Sequence, residues 1–80
     1  MRLTVLIRPK SGILDPQGEA VQASLATLGF SVTRARVGRL VDLEIAMDDA
    51  EAARAEVERM CAELLANPLI ESFEVVVEDA

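Results

Sequence analysis

Residues 2–8, Arg-Leu-Thr-Val-Leu-Ile-Arg, place Leu3, Val5 and Ile7 on one side and Arg2, Thr4 and Arg8 on the other. That period of two predicts a half-buried β-strand. Pro9, Lys10, Ser11 and Gly12 then break the chain into a loop. At Asp15-Pro16 the pattern changes to helical spacing, with Val21, Leu25 and Leu28 following. Asp15 can cap free backbone N–H groups and Pro16 suits the first helical position. Gly29 can take the left-handed conformation that ends a helix, with Phe30 folding back onto Leu25 as in a Schellman ending.

Residues 31–47 alternate again, with Val41, Leu43, Ile45 and Met47 inward and Asp42, Glu44 and Ala46 outward. Gly38 interrupts the run and predicts a turn or bulge between two antiparallel strands. Asp48 or Asp49 then caps a second helix. Ala50, Ala53, Val57, Met60, Cys61 and Leu64 form its apolar stripe, while Glu51, Arg54, Glu56, Glu58, Arg59 and Glu63 occupy its polar side. Asn67-Pro68 stops this helix, Asn67 by a left-handed ending and Pro68 by being unable to continue. A last strand over 69–78 puts Leu69, Phe73, Val75 and Val77 on one face and Ser72, Glu74 and Glu78 on the other.

The expected order is βαββαβ over a single domain, residues 1–80. It predicts an α+β fold: a two-layer plait with an antiparallel sheet and two helices on one face, dimerising through the sheet. Leu6, Val76 and Val32 are expected on the uncovered face. Twelve of the apolar residues are alanine, so the core is small, and a domain of this length is marginal alone. Self-association is the natural supplement.

Composition narrows the chemistry. The chain has no histidine, which removes His-containing zinc sites and Ser-His or Cys-His nucleophile pairs. Its one cysteine cannot close an internal disulfide, and Met1 to Arg8 is too short and too alternating for a signal peptide, so a cytoplasmic location is expected. Net charge is −6, with six bases against two acids in residues 1–40 and two bases against twelve acids in residues 41–80. That acidity, with phenylalanine as the only aromatic type, argues against nucleic-acid binding.

Each remaining candidate has a structural rival. Cys61 lies on the apolar stripe, away from a helix N-terminus, and reads as a core residue. Asp48-Asp49 and Glu78-Asp79 lack the loop spacing of a calcium site and read as a cap and a solvated tail. Lys10 to Gly18 could cradle an anion before a helix, but it matches neither the phosphate-binding loop nor the dinucleotide pattern, and Asp15 would repel an anion. Arg34, Arg36 and Arg39 around Gly38 could meet a phosphate or carboxylate, or simply protect a strand.

Three stretches carry a resemblance: KSGILDPQGEAVQASLATLGF (10–30), RVGRLVDLEI (36–45) and MCAELLANPLIESFEV (60–75). They closely resemble PurS, the small subunit of bacterial and archaeal phosphoribosylformylglycinamidine synthase. The most specific part is Leu-Asp-Pro-Gln-Gly (14–18), with Ala20-Val21, Leu28-Gly29 and Leu65-Ala66-Asn67-Pro68 in register. The resemblance implies a non-catalytic, self-associating bridge in purine biosynthesis, holding the glutaminase subunit PurQ to the synthetase subunit PurL and assisting ammonia transfer. It implies no cofactor in this chain, ATP and Mg belonging to the synthetase, and no glutaminase role for Cys61. The candidate partner-interface residues are Lys10, Asp15, Pro16, Gln17 and Gly18 in the first loop, Arg36, Gly38 and Arg39 at the middle turn, and Asn67 and Pro68 at the corner. Two other readings share the element order. One is an acylphosphatase-like enzyme, matched only by Arg8 with Asn67. The other is a plait that senses a small molecule between paired domains.

Overall fold

Leu3, Val5 and Ile7 are at most 1% exposed, and they put β1 (Arg2–Pro9) at the centre of the molecule. The computed structural model describes residues 1–78; Asp79 of the expected acidic tail lies outside the described residues. β1 is followed by α1 (Pro16–Thr27), β2 (Arg39–Glu44), α2 (Ala50–Met60), a π-helical turn (Cys61–Leu65) and β3 (Glu71–Glu78). The sheet order is β2-β1-β3 with both pairings antiparallel, so Val5 lies between Val41 and Val75. The α+β class and the antiparallel sheet are as expected.

α2 supplies the other half of the core. Asp49 caps it by accepting the Glu51 N–H at 3.0 Å, and Ala53, Val57 and Cys61 are fully buried against β1 and Val75. The expected stripe fails at its end, since Leu64 is 84% exposed. After Met60 the helix widens to the π register, with the Ala66 N–H donating to the Cys61 carbonyl at 3.0 Å. A wider turn adds less rotation per residue, which carries Leu64 out and leaves Leu65 packed on the core. Ala50, at the first turn, is likewise exposed.

Three further expectations are corrected. Asn67 does not end the helix in the left-handed region, because among the described residues the positive-φ ones are Gly12 and Gly29. It ends it by bonding: its side-chain oxygen accepts the Leu69 N–H at 3.1 Å, and its carbonyl accepts the Ile70 and Glu71 N–H groups. The last strand begins at Glu71, so Leu69 sits in that turn, 82% exposed, rather than facing inward. Only one strand forms between the helices. Residues 31–38 do not pair because α1 takes their backbone groups: Gln22 Oε1 accepts the Ala35 N–H at 3.4 Å, Gln22 Nε2 donates to the Thr33 carbonyl at 3.2 Å, and Asp15 Oδ2 accepts the Val37 N–H at 2.9 Å.

Those same bonds hold α1 away from the sheet, so the two helices do not share its face. Gly18 is the one buried residue of α1, and a Cβ there would lie 2.6 Å from the Ala35 carbonyl oxygen. Val21 is 42% exposed and Leu28 71%. The helix ends as expected in a Schellman pair, the Phe30 and Gly29 N–H groups donating to the Leu25 and Ala26 carbonyls at 3.0 and 3.1 Å. α1 and residues 31–37 thus form a limb, with Val32 on it rather than on the sheet. The molecule measures 48 × 29 × 14 Å, and its radius of gyration of 15.7 Å exceeds the roughly 12 Å of a compact chain of this length.

The limb rejoins the sheet at Gly38, where an added Cβ would collide with the Ile7 carbonyl oxygen, a backbone atom that cannot swing aside. Gly38→Ala is therefore expected to cost about 2 kcal/mol in urea unfolding. A loss under about 0.5 kcal/mol would show that the junction is not packed this tightly.

Candidate docking corner

The three candidate loops meet at one end of the sheet. Where β1 leaves the sheet, the Lys10 N–H donates to the Ile70 carbonyl at 2.8 Å and Lys10 Nζ to the Pro68 carbonyl at 2.6 Å. Lysine thus ties the first loop to the Asn67-Pro68 corner. From the middle turn, Arg39 Nη2 reaches the Leu65 carbonyl at 2.9 Å and Glu71 Oε1 at 2.8 Å. The same Glu71 oxygen accepts the Asn67 N–H at 2.8 Å. Glu71 therefore joins the turn to the corner, and its side chain is the less exposed partner, 21% against 55% for Arg39.

Between these struts lies an open cavity of about 310 Å³. Asp15, Pro16, Gln17, Gly38 and Arg39 line it together with the apolar Ile13, Leu14 and Ile70. Leu14 and Ile70 are 71% and 43% exposed, so the corner is an apolar surface framed by polar ties. Lys10, Asn67 and Pro68 tie the corner without lining the cavity, and two further candidates fall outside the corner altogether. Gly18 lies buried beneath the Asp15 carboxylate, and Arg36 lines a second cavity of about 450 Å³ with Leu6, Arg8 and Leu40. Gly38 and Arg39 border both cavities.

Asp15 is the polar centre of the arrangement. Oδ1 accepts the Gly18 N–H at 3.0 Å as the α1 cap, and Oδ2 accepts the Val37 N–H at 2.9 Å. The bond from Val37, then that from Gly18, with Arg36 adding charge, hold this carboxyl below its ordinary 3.8. With the carboxylate seated on the helix start, the loop before α1 presents no vacant anion cradle there. Arg8 and Asn67, the pair an acylphosphatase-like reading would use, are engaged separately: Arg8 lies 3.8 Å from Glu74, and the Asn67 side chain serves Leu69.

Cys61 is fully buried, and burial, followed by the nearby Glu58, pushes its thiol pKa up. A protonated, enclosed thiol is a packing group, not a nucleophile. Among the described residues no group of three or more His, Cys, Asp or Glu is placed to hold a metal ion, and no helix is long and apolar enough to cross a membrane. Two residues that organise the corner and limb, Glu71 and Gln22, were missed in the sequence. Glu71 carries a faint signal four positions after Asn67; Gln22 carries none.

The fold and corner define a small α+β module in which Asp15, Gln22 and Glu71 hold loops in place around an exposed apolar surface. Its relatives sharpen that class. The family model for PurS, phosphoribosylformylglycinamidine (FGAM) synthase, matches residues 2–79. The PurS subunit of Methanocaldococcus jannaschii is 38% identical over 78 residues, spanning 96% of this chain and 94% of that one. Its crystal structure superposes with a TM-score of 0.86 at 39% identity, covering 99% of this chain and 96% of that chain. A chain in the PurLQS structure from Thermotoga maritima also gives 0.86, at 32% identity over 94% of this chain and 93% of that one. The chain belongs to the PurS family.

The Asp15 tie makes a pH prediction. A carboxyl whose folded pKa is depressed contributes stability above its unfolded pKa and loses it as pH falls through the folded value. Amide protection at Gly18 and Val37 is expected to persist from neutrality through 3.8 and to be lost only as pH falls through the lower folded value, read by hydrogen exchange. Asp15→Asn leaves one oxygen for two donors, so exchange of one of these amides should rise up to about tenfold at neutral pH. Unchanged exchange in both experiments would contradict the double tie.

Proposed function

We propose that this chain is the non-catalytic bridging subunit of a cytoplasmic FGAM synthase complex in de novo purine biosynthesis. It joins the glutaminase subunit, PurQ, to the ATP-dependent synthetase subunit, PurL, and assists passage of ammonia between them. The complex converts FGAR, glutamine, ATP and water to FGAM, glutamate, ADP and phosphate. This chain contributes contact surface, while ATP and Mg are used by the synthetase subunit.

The observation that carries the reading is the convergence of Lys10, Asp15, Gln17, Arg39 and the Asn67-Pro68 corner around an exposed apolar cavity. Membership of the PurS family supports PurQ and PurL as the partners of that surface. Self-association belongs to the same reading. The three-stranded sheet has two outer strands, its far face carries Leu40 at 58% and Val76 at 38% exposure, and the limb leaves Leu28 and Phe30 uncovered. A second copy is the cover of matching chemistry for those surfaces.

Reconstitution tests it. The glutaminase and synthetase subunits with this chain should form one complex and make FGAM from glutamine; without it, glutamine-dependent turnover should fall at least tenfold while turnover with free ammonia persists. Leu14→Asp, at a position already exposed in the free chain, should weaken assembly without unfolding the chain. Cys61→Ala should leave turnover unchanged. Equal glutamine-dependent rates with and without the chain would sink the proposal.

A further inference from the structure

The sheet has two outer strands, β2 and β3. β3 reads Glu-Ser-Phe-Glu-Val-Val-Val-Glu over Glu71–Glu78, two residues longer than β2 and, like β2, without proline or lysine, two devices that blunt an edge; its charges are Glu71, Glu74 and Glu78. Its centre, Phe73 to Val77, combines high β propensity with little charge, a composition that pairs readily with a copy of itself. In an antiparallel pair, alternate residues turn their N–H and C=O away from the neighbouring strand. The carbonyl of Val75 accepts a hydrogen bond from Arg54 Nη1 at 2.8 Å. Arg54 comes from α2, where the adjacent Ala53 and nearby Val57 are fully buried and fix the helix over the sheet. Its guanidinium therefore stands at the middle of the outward-turned set Phe73, Val75 and Val77.

We propose that Arg54 is an edge guard: its guanidinium closes the outer edge of β3 against strand pairing with β3 of a second copy. The guard combines an occupied acceptor with a charge that a second strand would have to desolvate. It selects among modes of self-association, barring the edge-to-edge one. The inference rests on the Arg54 geometry and stands apart from the subunit assignment.

Arg54→Ala tests it. At high concentration this variant should show about twice the mass of the parent chain by light scattering. It should also gain concentration-dependent amide protection at Phe73, Val75 and Val77. Arg54→Lys, which keeps a charge at the edge, should behave like the parent. Adding Phe73→Pro to Arg54→Ala removes an outward N–H and should return the mass to that of the parent. A mass equal to the parent's in Arg54→Ala overturns the proposal. So does association that brings no protection to β3 and survives Phe73→Pro, since it then arises elsewhere.

Discussion

One carboxylate sets the plan of this molecule. Asp15 accepts the Gly18 N–H with one oxygen and the Val37 N–H with the other, so the residue that starts α1 also anchors the chain returning from it. Gln22 repeats the tie about two turns later through Thr33 and Ala35. Backbone groups that would make a fourth strand are thereby spent on side chains, and a polar group can satisfy only one such arrangement at a time. The three-stranded sheet, the projecting limb and the exposed apolar side of α1 all follow from that choice. Gly18 is required at its centre because any larger residue would separate Asp15 from Ala35.

Much of the fold was legible because it depends on short-range pattern. Alternation marked β1, β2 and most of β3, and Asp15-Pro16, Asp49 and Gly29 marked helix ends through bonds spanning a few residues. Failures arose where distant groups compete. Residues 31–37 alternate as a strand does, yet their partners are side chains 11 to 22 positions away. Leu64 fits the α2 stripe by count, but one π turn shifts the face it occupies. At the corner, the loops were legible as loops, and their convergence was not. It depends on Arg39 reaching Glu71 across 32 positions and Lys10 reaching Pro68 across 58.

Charge follows the same division. The basic first half of the chain supplies the limb and the hinge around Gly38, while the acidic second half supplies α2 and the outer strands. Across the far face of the sheet, Arg2 lies 4.0 Å from both Glu44 and Glu78, and Arg8 lies 3.8 Å from Glu74. These exposed pairs contribute at most about 1 kcal/mol each. They align strands more than they hold them. Cohesion comes instead from eight buried apolar residues among those described, a small core for a chain that also carries an uncovered limb.

That balance bears on what such a chain can do. An enzyme of this size would need a polar constellation inside a protected cavity, where desolvation could tune it. Here the enclosed volume is filled by Leu3, Val5, Ile7, Val57 and Cys61, and the cavities open outward among arginines and aliphatic side chains. The one enclosed nucleophile is held protonated by its burial. A surface shaped by Lys10, Arg39 and Glu71 is suited to positioning another protein by contact. The exposed limb and small core work in the same direction, since each gains most when a partner covers it. A chain of this length gains stability when a partner covers its exposed apolar surface, and the limb and the corner are where that surface lies, so assembly and stability draw on the same side chains.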